Sequence, residues 1–460
     1  MATAVLASAM GFIDGSVVSI AIPQIRESLD ASFVQAQWVS NSYFLFMSAL
    51  ILLGGAAGDR FGLRRTFGAG IVLFLLASVL CAIAWNPEFL IVVRALQGIG
   101  AAIMVPGSMA IIALNFPRGE RGRALGIWIA ASSVTTAFGP MLGGLLLTYG
   151  GDGAWRWIFA LNVPLGSIAL AMLWFRVPRD KPQSIQGLDW VGAILATLSL
   201  GGLAYGFTLL GEGGDSSLAF TLISFGVLLL ILTLFWWRIF KFPMIDLRLF
   251  SSRIFSGANI ITFMVWGGLG AVFFFLPMVL VTGWGFREIE VAGTFLPFAM
   301  IIAPLSPIIG RLADRFGTRF FLTLGPLVAA SAYAVMAFGF HNHEYWYGVL
   351  PAMVLLGLSM AVCASPISTA VMGAVEDHQT GSASGINNMV ARMSGLMAVA
   401  ALGAIVTHTY AAFIRTQNFP VDIQQMMIDA GFAERLSGAL YQISTQEAQI
   451  AGMDNAMVVI

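Results

Sequence analysis

Three charged residues lie inside long apolar stretches and are the first candidates for chemistry: Asp14, Arg94 and Arg392. A charge in the middle of a bilayer costs on the order of 3 kcal/mol or more, so such residues usually face a cavity and act there. At roughly 1.5 Å per residue, Asp14 lies about 13 Å from Pro23, where the first stretch ends, and therefore near the midplane. A carboxyl at this depth could bind and release a proton, or it could be held purely by structural hydrogen bonds.

Arg94 lies about 9 Å from Glu88 at the start of the fourth stretch, which is within a few ångströms of the depth of Asp14. An ion pair between Arg94 and Asp14 is therefore geometrically possible. We predict that Asp14 carries a proton and that Arg94 modulates its proton affinity. The alternative makes Arg94 a structural pin on helix-end carbonyls. Gln97, one turn further in, is a candidate for the lining of a substrate cavity.

A polar stripe occupies the last apolar stretch, where Asn387 and Asn388 come one turn before Arg392. Residues at this spacing share one face of a helix. The stripe could line a cavity that binds substrate, or it could bond neighbouring helices. The sequence leaves both interpretations open.

The elements that position these residues follow from the composition of the 460-residue chain, which is 58% hydrophobic and only 10% charged. So few charges exclude a cytosolic enzyme, a nucleic-acid binder and a disordered chain. Thirteen stretches are long and apolar enough to span a membrane as helices, and none alternates like a barrel strand. We therefore predict an all-α polytopic membrane protein. The stretches are 2–22, 38–57, 67–85, 89–114, 124–148, 157–175, 190–210, 217–237, 257–281, 291–310, 320–340, 346–373 and 384–412.

Catalytic and metal sites are not expected. Cys81 and Cys363 both lie in apolar runs, which argues against a disulfide framework or a thiolate metal site. No His, Cys or paired-carboxylate cluster has metal or acid–base spacing. The loops after the second, fourth, sixth, eighth and tenth stretches hold 16 of the 23 Lys and Arg residues. This excess predicts that these loops and the N-terminus are cytoplasmic.

A ten-residue pattern, G-x-x-small-D-R-F-G-x-R, occurs twice at an offset of 255 positions. Glycine allows a tight turn, and the Asp can accept hydrogen bonds from a neighbouring helix N-terminus. The arginines can pair with it or with anionic lipid headgroups. One copy could be a solvated turn, but two copies predict paired turns that hold an inner gate. The gate residues are Gly55, Asp59, Arg60, Gly62 and Arg64 in the first copy and Gly310, Asp314, Arg315, Gly317 and Arg319 in the second.

The repeat aligns the second and third helices with the tenth and eleventh, which implies two six-helix halves separated by two inserted helices. We predict an N-terminal half at 1–176, two inserted transmembrane helices with flanking loops at 177–253, and a C-terminal half at 254–460. That arrangement requires fourteen helices, whereas the sequence provides thirteen and the beginning of another at 453–460. We therefore expect the final helix to be truncated.

The fifth stretch contains Gly139, Pro140, Gly143 and Gly144. Pro140 removes a backbone hydrogen bond and bends the helix, while the glycines admit a close neighbour. These residues could form a flexing seam, although generic helix packing explains the pattern equally well.

Together these motifs resemble the major facilitator superfamily, specifically its fourteen-helix drug:proton antiporter branch. The turn at 59–64 is similar to the superfamily's loop signature, and residues 94–100 are similar to its fourth-helix motif linked to proton coupling. Residues 139–144 resemble the fifth-helix antiporter motif, which marks export. Residues 14–23 are similar to the branch's first-helix motif, and residues 155–166 resemble a hallmark of the fourteen-helix members.

The resemblance implies a major facilitator fold and a proton-coupled antiporter that exports small hydrophobic or cationic compounds, including drugs, by alternating access. The proton gradient would supply the energy without a cofactor, and the partners would be the bilayer, protons and a small-molecule substrate. Two alternatives remain open: an exporter of a specific metabolite, such as an amino acid, sugar or siderophore, and an inactive truncated fragment. The expected location is the plasma or inner membrane. A periplasmic adaptor is expected only if the source organism has two membranes.

Overall fold

The computed structural model describes residues 1–116, 128, 135, 139–151, 153–178, 187–211, 216–342, 344–376 and 379–416. Over these residues the secondary structure is helical and contains no strand. Twelve helices are long and apolar enough to cross a membrane, and they coincide with twelve of the thirteen predicted stretches. The remaining stretch, 124–148, is described as a helix from residue 139 onward. The prediction of an all-α polytopic membrane protein is confirmed, while the proposed stub at 453–460 lies outside the described residues.

The described helices run in chain order with short connections. The first seven are α1 (Ala2–Leu29), α2 (Phe33–Phe61), α3 (Leu63–Ala82), α4 (Pro87–Asn115), α5 (residues 139–149), α6 (Trp155–Ala160) and α7 (Asn162–Arg176). The others are α8 (Trp190–Gly211), α9 (Ser216–Ile239), α10 (Arg253–Met278), α11 (Glu288–Thr294), α12 (Leu296–Phe316), α13 (Thr318–His341), α14 (Leu350–Gly373) and α15 (Thr380–Thr416). Two pairs, α6 with α7 and α11 with α12, each form one span.

Local sequence signals set where the site-bearing helices begin. The α2 helix begins with a capping box, in which the Gln35 amide donates to Ser32 Oγ at 3.2 Å and the Ser32 amide donates to Gln35 Oε1 at 2.8 Å. The α4 helix begins at Pro87, and the side chain of Asn86 accepts a hydrogen bond from the Phe89 amide at 2.8 Å. These caps fix where α2, which contacts Arg94, and α4, which carries it, begin.

The two copies of the repeated turn have the same backbone shape. Gly62 ends α2 with φ of 93°, and Gly317 ends α12 with φ of 85°. Side chains with a Cβ rarely adopt such positive angles, so the pattern needs glycine at this position in both copies. The sequence repeat is therefore also a repeat of local structure.

The packing of the helices separates the chain into two bundles and a hairpin. In the N-terminal bundle, α4 packs against α1, α2 and α3, and α1 also packs against α7. In the C-terminal bundle, α14 packs against α12 and α13, and α10 packs against α15. The bundles meet where α2 contacts α15 and where α1 contacts α10, and the α8–α9 hairpin packs against α2 and α15. The boundaries at 176 and 253 stay predictions.

Candidate functional site

A buried ion pair between Asp14 and Arg94 lies at the centre of the N-terminal bundle. A guanidinium nitrogen of Arg94 donates to Asp14 Oδ2, and each residue is only 1% exposed. The pair connects α1 to α4 at the depth that their sequence positions indicated. Breaking such a buried pair on one side leaves an uncompensated charge, which costs about 3–5 kcal/mol.

Arg94 is also fastened to α2, independently of Asp14. Its Nε donates to the carbonyl of Val39 at 3.0 Å, and its Cζ lies 4.3 Å from the ring centroid of Tyr43. Phe159 presents a second ring at 5.6 Å. The cation therefore keeps favourable contacts on α2 and α6 that do not depend on the charge of the carboxylate.

Within the described residues, the second carboxylate oxygen of Asp14 accepts only from side-chain amides. Gln97 Nε2 donates to Asp14 Oδ1 at 3.0 Å, and Asn162 Nδ2 donates to the same oxygen at 3.4 Å. Both amides also donate to Ser78 Oγ, at 2.8 and 3.2 Å, which ties α3 and α7 into the network. Each of these described partners donates to the carboxylate, which matches the acceptor-only character of an ionised carboxylate.

Gln97, the candidate for the lining of a substrate cavity, belongs to this network, and its substrate role stays a prediction. It is fully buried, and its Oε1 accepts from Arg94 Nη1 at 2.6 Å. Ser78 and Asn162 are not among the site residues predicted from the sequence. A signal for Asn162 was present, since it lies within residues 155–166, whereas Ser78 is a lone serine in an apolar helix with no distinguishing spacing.

A close approach of α4 to α2 brings Arg94 over the ring of Tyr43. A Cβ placed on Gly98 would lie 3.2 Å from the Cα of Tyr43, so any larger residue would push the two backbones apart. Glycine one turn after Arg94 is thus part of how the sequence positions the guanidinium.

The three residues of the polar stripe on α15 make different contacts. Asn387 Nδ2 donates to Asn259 Oδ1 at 3.1 Å and to Thr262 Oγ1 at 2.8 Å, which joins α15 to α10. Asn388 donates to the carbonyl of Ser384 on its own helix at 3.0 Å. The helix-bonding interpretation therefore describes the contacts of Asn387.

Arg392 faces the other bundle. Its Cζ lies 5.2 Å from the ring centroid of Phe12 on α1, and its side chain is partly exposed. Unlike Arg94, it has no carboxylate within 4 Å among the residues that the structure describes.

The repeated turns place equivalent residues in equivalent contacts. The Arg60 guanidinium lies 5.5 Å from the ring of Phe61, and that of Arg315 lies 5.4 Å from the ring of Phe316. In the first copy, Arg64 Nη2 also donates to the carbonyl of Trp174 at 2.6 Å, which fastens α3 to α7. The side chain of Asp314 lies outside the described residues. Whether the turns act as a gate stays a prediction.

The glycine-rich motif at Gly139, Pro140, Gly143 and Gly144 in α5 touches both bundles. Gly139 and Gly143 face Ser16 and Val17 on α1, whereas Gly144 faces α11, where an added Cβ would lie 3.1 Å from the Cα of Ile289. One turn later, Thr148 Oγ1 accepts from the amide of Ile289 at 3.1 Å. The motif therefore lies at a close contact between the N- and C-terminal bundles, and its flexing role stays a prediction.

These features define a class of protein, a polytopic membrane protein of two helical bundles with a buried polar network in one. The profile of the Major Facilitator Superfamily matches residues 4–399, and the chain belongs to that superfamily. The predicted major facilitator fold is confirmed. Solved members with the same fold include a D-xylose-proton symporter, with a TM-score of 0.62 and 17% identity over 88% of this chain and 89% of that one. A POT family transporter in complex with 5-aminolevulinic acid has a TM-score of 0.65 and 14% identity over 95% and 96%.

Similar curated proteins are drug-resistance transporters, as the motifs predicted. The chain is 33% identical to puromycin resistance protein pur8 of Streptomyces alboniger, over 87% of this chain and 80% of that protein. It is 32% identical to multidrug resistance protein Stp of Mycobacterium tuberculosis, over 86% and 73%. It is 28% identical to the methylenomycin A resistance protein of Bacillus subtilis, over 95% and 90%. Family and relatives indicate a transporter rather than an enzyme.

Proposed function

We propose that this chain exports small hydrophobic, drug-like compounds in exchange for protons, by alternating access of the two bundles. The drug-resistance relatives support the cargo class. The observation that carries the proton coupling is the buried Asp14–Arg94 pair, because Asp14 is the only carboxylate within the thirteen apolar stretches. A carboxylate so placed is the natural group to accept a proton at membrane depth.

Protonation would act on one helix contact in particular. An ionised Asp14 accepts from Arg94, Gln97 and Asn162, and a proton on the carboxyl removes the charge that holds the ion pair. Arg94 keeps its contacts to Val39 and Tyr43 on α2. The contact that protonation weakens is therefore the one between α1 and α4, while α2 and α4 stay joined.

The α1 helix links this event to the other bundle. It packs against α10 and α11, and its Phe12 contacts Arg392 on α15. A shift of α1 on protonation would bias the equilibrium between two arrangements of the bundles. Each proton that moves through 100 mV supplies roughly 2.3 kcal/mol, enough for a substrate gradient of a few tens-fold.

The proposed location is the plasma or inner membrane, with the N-terminus on the cytoplasmic side. The excess of Lys and Arg in the even-numbered loops supports that orientation. The partners of the proposed cycle are the bilayer, protons and the exported compound, with no cofactor.

An efflux assay tests the proposal without any assumption about substrate charge. Cells of an efflux-deficient host that express the chain are loaded with Nile red, a neutral hydrophobic dye, with and without a protonophore. We expect less dye in expressing cells than in empty-vector cells, and equal dye after the protonophore. Equal accumulation without the protonophore, or a difference that persists with it, contradicts proton-coupled export.

A further inference from the structure

Arg392 is a cation near the midplane, and it has no counterion among the residues that the structure describes. It lies about 15 Å into the Ser382–Val406 span, half of a hydrocarbon core of roughly 30 Å. Its guanidinium forms no hydrogen bond or ion pair with the described residues; its contact to Phe12 is through the ring face. The undescribed part of the fifth stretch, 124–138, contains no Asp or Glu that could pair with it.

The charges at membrane depth do not balance. Asp14 is the only carboxylate within the thirteen apolar stretches, and Arg94 already pairs with it. In the described part of the chain no carboxylate compensates the charge of Arg392, and protonation of Asp14 would add a second cation without a counterion there. A guanidinium kept at this depth is stabilised by water or by an anion in a cavity, since hydrocarbon would make it costly.

One face of α1, next to Arg392, is partly exposed. From Ala7 to Ile22 every residue of α1 is buried except Phe12 and Gly15, which share one face and are partly exposed. Phe44 on α2 borders the same face, because a Cβ on Gly15 would lie 3.6 Å from the Phe44 ring. Arg392 reaches Phe12 from the opposite bundle. Arg392 thus lies against a partly exposed aromatic face of the N-terminal bundle, formed by Phe12 and Phe44.

We propose that Arg392 binds an anionic group of the exported compound, so that the preferred substrates are hydrophobic organic anions, such as amphiphilic carboxylates or sulfonates. The assignment rests on the export function proposed above and replaces the cationic class that the sequence predicted. Arg392 supplies the charge-assisted hydrogen bonds, and Phe12 and Phe44 supply the apolar wall for the remainder of the molecule. Binding of the anion would compete with the Arg392–Phe12 contact and so would loosen one link between the bundles.

Two xanthene dyes of opposite net charge test this assignment: sulforhodamine B, which is anionic, and rhodamine 6G, which is cationic. The purified full chain is reconstituted in phosphatidylcholine vesicles, where no anionic lipid competes, and uptake is driven by an imposed proton gradient. We expect the wild type to prefer sulforhodamine B. Arg392→Gln should lower sulforhodamine uptake about tenfold, as expected for the loss of one charge-assisted hydrogen bond, and leave rhodamine uptake nearly unchanged. Arg392→Lys should retain most of the preference.

Three results overturn the assignment. If the wild type prefers rhodamine 6G and Arg392→Gln does not change that uptake, the anion site is contradicted. Proton-coupled export still stands in that case. Parallel loss of both dyes, with a lower Tm in Arg392→Gln and in Phe12→Leu, shows a structural pin between the bundles instead. If the wild type still exports Nile red but takes up neither charged dye, the anion class is also excluded. Failure of Nile red export itself contradicts the proposed function, so the two proposals fail separately.

Discussion

The guanidinium of Arg94 lies 4.3 Å above the ring of Tyr43, and the hydroxyl of that same tyrosine donates to the carbonyl of Gly11 at 3.1 Å. Tyr43 therefore contacts Arg94 through its ring and the helix that carries Asp14 through its hydroxyl. The ring is fully buried. This arrangement makes α2 the support on which the α1–α4 pair is held.

The two functions of Tyr43 are separable by substitution. Tyr43→Phe keeps the ring under Arg94 and removes one hydrogen bond to α1, so we expect a loss of about 1 kcal/mol of stability and nearly normal transport. Tyr43→Leu removes the ring as well, so it should reduce proton-driven uptake in addition to stability. Thermal unfolding and vesicle uptake of the two variants measure this. Equal transport by both would show that the cation–ring contact has no role.

Arg94→Lys tests whether a positive charge alone at this position is sufficient for proton-driven uptake. Lysine lacks the planar fork that reaches Asp14, Val39 and Gln97 from one group, so we expect proton-driven uptake to fall by about tenfold or more although the charge is kept. Arg94→Ala should in addition lose about 3–5 kcal/mol of stability, because Asp14 is left unpaired. Wild-type uptake by Arg94→Lys would reduce the role of Arg94 to that of a counterion.

Gly98→Ala should destabilise the N-terminal bundle. The added Cβ would meet the backbone of Tyr43 rather than a flexible side chain, and overpacking of this kind typically costs about 1–3 kcal/mol. Gly257→Ala on α10 is the matched control, since no atom lies within 4 Å of its added Cβ. A comparison of Tm values decides the matter, and equal values for both variants would contradict the close approach of α4 to α2.

Gly144→Ala tests the contact between the bundles at α5 and α11. Its Cβ would lie 2.7 Å from the carbonyl oxygen of Glu288, so it should hold the bundles apart and slow turnover. Gly293→Ala, on α11 itself, has open space around the added Cβ and is the control. Uptake rates normalised to the amount of folded protein report the effect. A Gly144→Ala rate equal to the control would show that this contact does not limit transport.

The spans were predictable because length and apolar composition are enough to specify a membrane helix. The Asp14–Arg94 pair was foreseeable for a related reason: a helix rise of roughly 1.5 Å per residue converts sequence positions into depth. Depth, however, does not give the rotation of a helix about its axis. The sequence therefore made Gln97 a candidate for a cavity lining but did not reveal that Asp14, Arg94 and Ser78 are its neighbours.

The rotation of α15 about its axis also gives the residues of the polar stripe different neighbours. Asn387 and Arg392 are close in sequence, yet one bonds α10 and the other meets Phe12 on α1. Which face of α15 meets which neighbour depends on the packing of α2, α8 and α10 around it, and a single sequence does not reveal that packing. The partly exposed face of α1 at Phe12 and Gly15 was hidden for the same reason.

Proton-driven uptake and substrate exchange in the Asp14→Asn variant test the central claim most directly. The measurement uses reconstituted vesicles and Nile red, first with an imposed proton gradient and then as exchange of dye across the membrane without one. Glu290→Gln, which removes a solvent-exposed partner of Arg287, is the matched acid-to-amide control and should behave as wild type. We predict that Asp14→Asn loses gradient-driven uptake and keeps exchange. Gradient-driven uptake at the wild-type rate in Asp14→Asn would contradict the assignment of Asp14 as the proton carrier.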